Sequence, residues 1–257
     1  MQTFYFGPAA TSLYGAYHEP QGVPRREGIV LCYPFGQEYM RAHRSFRRLA
    51  INLAAKGFAV LRFDYRGCGD SAGDTPGVTC QDWIADIHAA IQELKDIAAV
   101  QTVSLMGLRL GGLLAAAAAQ NQAINRLVLW DCSLSGAAYC DEIGREIAAQ
   151  QSRSKFIAPN GDMLYNGFNL PSSLQTGLKQ LDLLQMDHLK QMQWSLIVSH
   201  EHANFTALKE VYSSNPRFSY TLAPAPHDWN YVDHVGGILW PAPIVAAIEQ
   251  YFEGGLA

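Results

Sequence analysis

The run Val103-Ser104-Leu105-Met106-Gly107-Leu108-Arg109-Leu110-Gly111-Gly112-Leu113-Leu114, continued by alanines at 115–119, decides how this chain is read. A short apolar stretch breaks into glycines and then into strong helix formers, which is the pattern of strand, tight turn and helix. A G-x-S-x-G turn has this form: small residues flank one side chain that a strained backbone lifts above the sheet. Gly107, Gly111 and Gly112 are the small residues that close strand–helix approach needs. The middle position carries Arg109 in place of serine. A guanidinium has no nucleophilic form at ordinary pH, so the turn is kept and its expected nucleophile is gone.

Outward from that turn, strands alternate with helices. Residues 3–6 and 13–17, separated by Gly7-Pro8, read as a leading hairpin. A buried strand over 28–33 stops at Pro34-Phe35-Gly36, a helix over 41–56 is closed by Gly57, and a strand over 58–63 ends in Asp64-Tyr65-Arg66-Gly67-Cys68-Gly69-Asp70-Ser71. Trp83, Ile84, Ile87, Ile91 and Leu94 give residues 79–98 helical periodicity. Strands follow over 126–130, 194–199 and 218–222, with helices near 205–213 and 243–252. This order predicts an α/β fold with a mostly parallel sheet, helices on both faces, and ligand chemistry at the carboxyl ends of the strands. Residues 132–193 differ in character. They read as helices over 136–155 and 173–192 joined by a Pro- and Gly-containing loop, an insertion placed to act as a lid.

At 257 residues, 49% hydrophobic and 16% charged, the chain is expected to form one domain. A net charge of -4 gives no general attraction to nucleic acid, and no apolar run reaches the roughly 20 residues of a membrane span. Met1-Gln2-Thr3-Phe4 lacks the basic start of a secretion leader, so a cytoplasmic location is expected. Cys32, Cys68, Cys80, Cys132 and Cys140 form no C-x-x-C pair and are expected as thiols. Neither a cofactor nor a metal is implied. His200-x-His202 points to opposite faces of a strand and has no third ligand at suitable spacing.

With these residues assembled, the chain resembles the α/β-hydrolases over nearly its whole length. The residues 64–71 loop resembles that family's D-x-R-G-x-G-x-S segment, Gly107–Gly111 stands at its nucleophile turn, and His227 follows the last strand, where the family keeps its catalytic histidine. More narrowly, G-L-R-L-G is similar to the turn of bacterial hydrolase-like proteins linked to exosortase and exopolysaccharide gene clusters. The resemblance implies esterase- or thioesterase-like chemistry, with His227 as base, Glu201 or Asp131 as its acid partner, and the N–H groups of Phe35 and Leu110 as oxyanion donors.

Arg109 has two readings, a cation paired with Asp131 or Glu201 in a degenerate site, or a holder of an anionic ligand at a helix N-terminus. Cys68, Cys132, Ser71 and Ser133 stand near strand ends as alternative nucleophiles, with inert burial as the plainer account. Asp64 and Arg66 are read as bracing their loop. Arg41, Arg44, Arg47 and Arg48 form a basic helical face, either simply solvated or able to receive an acyl-carrier protein or the phosphates of coenzyme A. Tyr139, Phe156, Leu164, Tyr165 and Phe168 in the insertion favour a partly hydrophobic small-molecule ligand. Two functions follow: an acyl ester or thioester hydrolase working without a serine nucleophile, or a catalytically silent binder of an anionic or acyl ligand.

Overall fold

The computed structural model describes residues 1–150, 164–165, 168–229 and 239–254. The chain opens with the antiparallel strands β1 (Gln2–Phe6) and β2 (Leu13–His18). It continues through β3 (Glu27–Cys32), α1 (Gln37–Ala55), β4 (Ala59–Phe63), α2 (Cys80–Ala98), β5 (Thr102–Leu108), α3 (Leu110–Ala118) and β6 (Ile124–Trp130). After α4 (Gly136–Gln150) come the short pair β7 (Leu164–Tyr165) and β8 (Phe168–Asn169), then α5 (Ser172–Leu178). The chain then runs through β9 (Trp194–Val198), α6 (Ala203–Tyr212), β10 (Phe218–Leu222) and α7 (Ala242–Gly254).

Eight strands form one sheet in the order β1-β2-β4-β3-β5-β6-β9-β10, with β4 onward mutually parallel. The central strands β3, β4, β5, β6 and β9 are almost wholly buried, as continuous apolar runs covered on both faces must be. α2 shows how local sequence sets an element. The Thr79 hydroxyl accepts the Asp82 N–H at 3.2 Å while the Asp82 carboxylate accepts the Thr79 N–H at 2.9 Å, and Trp83, Ile87, Ala90 and Leu94 turn inward.

The structure departs from expectation at three elements. α1 begins at Gln37 rather than 41, because Gly36 takes φ 63° and turns the chain straight from the β3 loop into helix. The helix expected over 173–192 breaks after α5 into 3-10 turns at Leu183–Gln185 and Asp187–Lys190, where the Asp182 carboxylate accepts the Leu184 N–H and starts a new turn. Residues 151–155 of the other expected helix lie outside the described residues, as does Phe156.

Glycine governs the junction of β5 with α3. A Cβ on Gly111 would collide with the carbonyl oxygens of Cys32 and Tyr33, and one on Gly107 with that of Gly111. Gly111→Ala is therefore expected to cost about 3 kcal/mol, a fall of roughly 6–12 °C in melting temperature. Gly144→Ala in α4, where a Cβ meets nothing within 4 Å, serves as the control and should gain about 0.5–1 kcal/mol in the same measurement.

Candidate active site

Arg109 occupies the turn between β5 and α3 at φ 52°, ψ −120°, a conformation that costs a residue with a Cβ about 1–3 kcal/mol. The surrounding backbone imposes it. Its N–H donates to the Trp130 carbonyl at 3.0 Å, and its own carbonyl accepts the N–H groups of Gly112 and Leu113.

The guanidinium is held by two carboxylates. Nε donates to Glu38 Oε1 at 3.0 Å and Nη2 to Glu142 Oε1 at 2.6 Å, with the Tyr139 ring centroid 5.9 Å from the guanidinium carbon. The Tyr139 hydroxyl donates to the other Glu38 oxygen at 3.3 Å. Burial pushes the Glu38 carboxyl up, and the neighbouring Arg109 only partly offsets this. Burial works against the charge of Arg109 as well, but Glu38 and Glu142 outweigh it and keep the guanidinium protonated. The expected pairing with Asp131 or Glu201 is thus corrected: the partners come from the first turn of α1 and from α4.

Asp131 is engaged elsewhere. Buried at the end of β6 with φ 40°, its carboxylate accepts the Ser199 N–H at 2.7 Å and the Ser199 hydroxyl at 2.8 Å. The Ser199 oxygen lies 3.0 Å from Nδ1 of His200. Because the hydroxyl gives its only proton to the carboxylate, Nδ1 must carry the ring hydrogen, which leaves a lone pair on Nε2 of His200. Burial and the adjacent His227 hold His200 below the ordinary histidine range, so it is neutral near pH 7.

His227 stacks on that ring, with centroids 3.9 Å apart and planes at 14°. Its Nδ1 lies 3.3 Å from the Ala225 carbonyl, not against a carboxylate. Its loop is tied to α1 by the Arg41–Asp228 ion pair at 3.1 Å. Glu201 is exposed and makes no side-chain hydrogen bond among the described residues, so neither expected acid contacts His227 directly. The doublet considered for metal has other roles. His200 joins the Asp131 chain, and Nδ1 of His202 accepts the Asn204 N–H to cap α6. Among the described residues no group of side chains could hold a metal ion.

Two cavities flank the turn. One of about 580 Å³ is lined by Arg109, Ser133, Glu142, His200 and His227, so the cation and the imidazoles share a cleft. The other, of about 340 Å³, is chiefly apolar and carries the aromatic side chains of Phe35, Tyr65, Trp83 and Phe168 beside Leu110. The expected oxyanion donors Phe35 and Leu110 thus face the second cavity, while Arg109, next in sequence to Leu110, faces the first.

The alternative nucleophiles fare differently. Burial pushes the Cys68 thiol up to about 12 and the Cys132 thiol higher still, so neither supplies a thiolate near neutral pH. The Ser71 hydroxyl bridges the Asp64 carbonyl and the Tyr14 N–H. The Ser133 hydroxyl is buried with no hydrogen-bond partner among the described residues, and Ser133 lines the larger cavity. Arg66 spans Asp86 and Asp82, and Asp64 accepts from Tyr39 and from the Asp70 N–H, so both brace their loop. Of the basic face, Arg44, Arg47 and Arg48 are exposed, whereas Arg41 turns in to Asp228. Sequence reasoning missed Glu38, Glu142 and Ser199. Glu38 alone left a signal, as an acid just past the Pro34-Phe35-Gly36 loop.

Glu38→Gln is expected to destabilise the protein by about 3 kcal/mol in urea unfolding, since it removes a buried partner of Arg109. Arg109→Gln should cost a similar amount. The double variant should cost less than the two together by at least about 1 kcal/mol, and strict additivity would show that the pair is not coupled.

A family model described as serine aminopeptidase, S33, matches residues 28–195. Proline iminopeptidase from Mycobacterium smegmatis is similar in structure, with a TM-score of 0.65 at 15% identity over 98% of this chain and 98% of that one. Est1E from Butyrivibrio proteoclasticus, solved with ferulic acid bound, gives a TM-score of 0.63 at 17% identity over 97% of this chain and 98% of the other. Alpha/beta hydrolase domain-containing protein 10 from mouse gives 0.60 at 16% identity over 98% and 97%. No protein of curated function matches the sequence. At such identities the structural likeness concerns the fold, which is that of the α/β hydrolases. The family match spans well over half of the chain, from β3 into β9 and across the Arg109 turn, and the chain belongs to the serine aminopeptidase, S33, family.

Proposed function

We propose that this protein hydrolyses an acyl ester or thioester by direct attack of water, with no covalent serine intermediate. One observation carries the reading. The turn residue Arg109 is locked between carboxylates, whereas a neutral imidazole in the same cleft remains hydrogen-bonded through Ser199 to buried Asp131. The acyl chain occupies the aromatic cavity, its carbonyl oxygen meeting the N–H groups of Phe35 and Leu110. Nε2 of His200 takes a proton from water as the water oxygen bonds to the carbonyl carbon. The carbon–oxygen or carbon–sulfur bond then breaks, and the leaving group collects that proton. Arg109 and the unpartnered Ser133 hydroxyl meet the polar end of the substrate, and His227 supports the His200 ring by stacking.

The remaining parts fit the same reading. The described residues of the insertion contribute to substrate choice, with Phe168 lining the aromatic cavity and Tyr139 the larger one. Exposed Arg44, Arg47 and Arg48 offer a landing for an acyl carrier or coenzyme A phosphates. The G-L-R-L-G turn, similar to that of the exosortase-linked hydrolase-like proteins, has no serine to acylate. Five free cysteines suit a cytoplasmic setting. Among the described residues no helix is long and apolar enough to cross a membrane. A second reading, a silent binder, is favoured by the double ion pairing of Arg109, which leaves the cation already compensated.

Turnover of p-nitrophenyl esters and acyl thioesters of graded chain length separates the two. The hydrolytic reading expects turnover without an acyl adduct in the intact mass, and a loss of about 100-fold or more in His200→Ala. Inertness at every chain length, with acyl ligand still bound, would establish the silent binder. The pH profile is a further check. A base must be neutral, and burial holds His200 below 6.5, so the acidic limb of kcat/KM should fall below pH 6.5.

A further inference from the structure

A third cavity, of about 270 Å³, is lined from α1, β1, β2 and β4, and its walls include Arg62, Arg47 and His43 together with Asp64 and Asp70. We infer that it binds a small oxyanion, a phosphate or carboxylate group, with Arg62 as the anchor. Arg62, on β4, is only 5% exposed. Its Nε donates to Nε2 of His18 at 3.1 Å and its Nη1 to the Tyr33 hydroxyl at 2.7 Å, while Nη2 has only the Met1 thioether, at 3.5 Å. All three acceptors are neutral, and two of the five guanidinium N–H groups have no acceptor among the described residues. Arg41, Arg66, Arg109 and Arg126 each have a carboxylate within ion-pair distance; Arg62 has none among the described residues. A buried cation with no ion-pair partner is costly, and an anion bound against it in the adjoining cavity lowers that cost.

The neighbours add to the case. Tyr39, His43 and Arg47 fall at i, i+4 and i+8 on α1 and share the face toward the cavity, so Arg47 brings a second guanidinium to the same wall. Asp64 shares this cavity without an ion pair to Arg62; its oxygens accept from the Tyr39 hydroxyl at 3.0 Å and the Asp70 N–H at 3.1 Å. His18 registers the local positive field: burial, then Arg62, the terminal amine and Arg47, hold it down to about 4. Tyr33, Tyr39 and Asp64 line both this cavity and the aromatic one, so an anion here would stand directly behind the wall of the proposed acyl cavity. The inference does not depend on the hydrolytic reading, because it rests on Arg62 and Arg47 in this cavity.

Thermal unfolding is followed during titration with inorganic phosphate, against sodium chloride at equal ionic strength, for wild type, Arg62→Met and Arg47→Ala. Phosphate stabilises most proteins weakly by exclusion from their surface, so the readout is the difference between wild type and variant. Wild type should show an additional, saturable rise in melting temperature. Arg62→Met should lose that rise while melting in chloride at or above the wild-type temperature, and Arg47→Ala should shift the phosphate midpoint upward about tenfold. A phosphate response equal in wild type and Arg62→Met overturns the site. Should Arg62→Met not fold, exposed Arg47→Ala decides, and an unchanged midpoint overturns it.

Discussion

The approach of α3 to the backbone of β3 and β5 is the constraint on which the rest of this molecule depends. Gly111 lies so close to the carbonyls of Cys32 and Tyr33 that no side chain fits between, and Gly107 is equally close to Gly111. This contact fixes the turn between strand and helix, and the turn forces residue 109 into a backbone conformation that only strong surrounding packing sustains. The side chain at that position is thereby delivered to one place at the carboxyl end of the sheet, whatever its chemistry.

What Arg109 meets there sets the electrostatics of the cleft. A large cation on the turn requires counter-charge in a buried setting, and α1 and α4 each supply one carboxylate. Asp131 is left free of that duty and turns through Ser199 to His200. The Asp131–Ser199–His200 chain therefore lies on the β9 side of the cleft, with His227 stacked over it from the loop after β10. Two imidazoles share this side of the cleft, His200 bonded towards Asp131 through Ser199 and His227 stacked upon it.

The fold was legible because its signals are local and repeated. Apolar strand runs, the Thr79–Asp82 cap and the glycines around residue 109 each specify their own conformation, and strand–helix alternation orders the sheet. α1 was read short because the helix-starting role of Gly36 lies in its φ, and the residues 173–192 helix was read long because Asp182 diverts the backbone through its side chain. The sequence places Arg109, Asp131 and His227 just past strand ends, but it reads His200 only as a rejected metal ligand and leaves every observed partner unassigned. Arg109 is 71 residues from Glu38 and 33 from Glu142, and Asp131 is 68 from Ser199. Spacing along the chain carries no information about such pairs until α1 and α4 are packed.

α1 has one more property that follows from where its first turns lie. Glu38 grips the Arg109 guanidinium, and Arg41, three residues on and so on the same side of the helix, grips Asp228 beside His227. A single rigid rod thus holds both banks of the cleft, and its exposed flank carries Arg44, Arg47 and Arg48. The two banks are therefore fixed relative to one another through one helix as well as through the sheet.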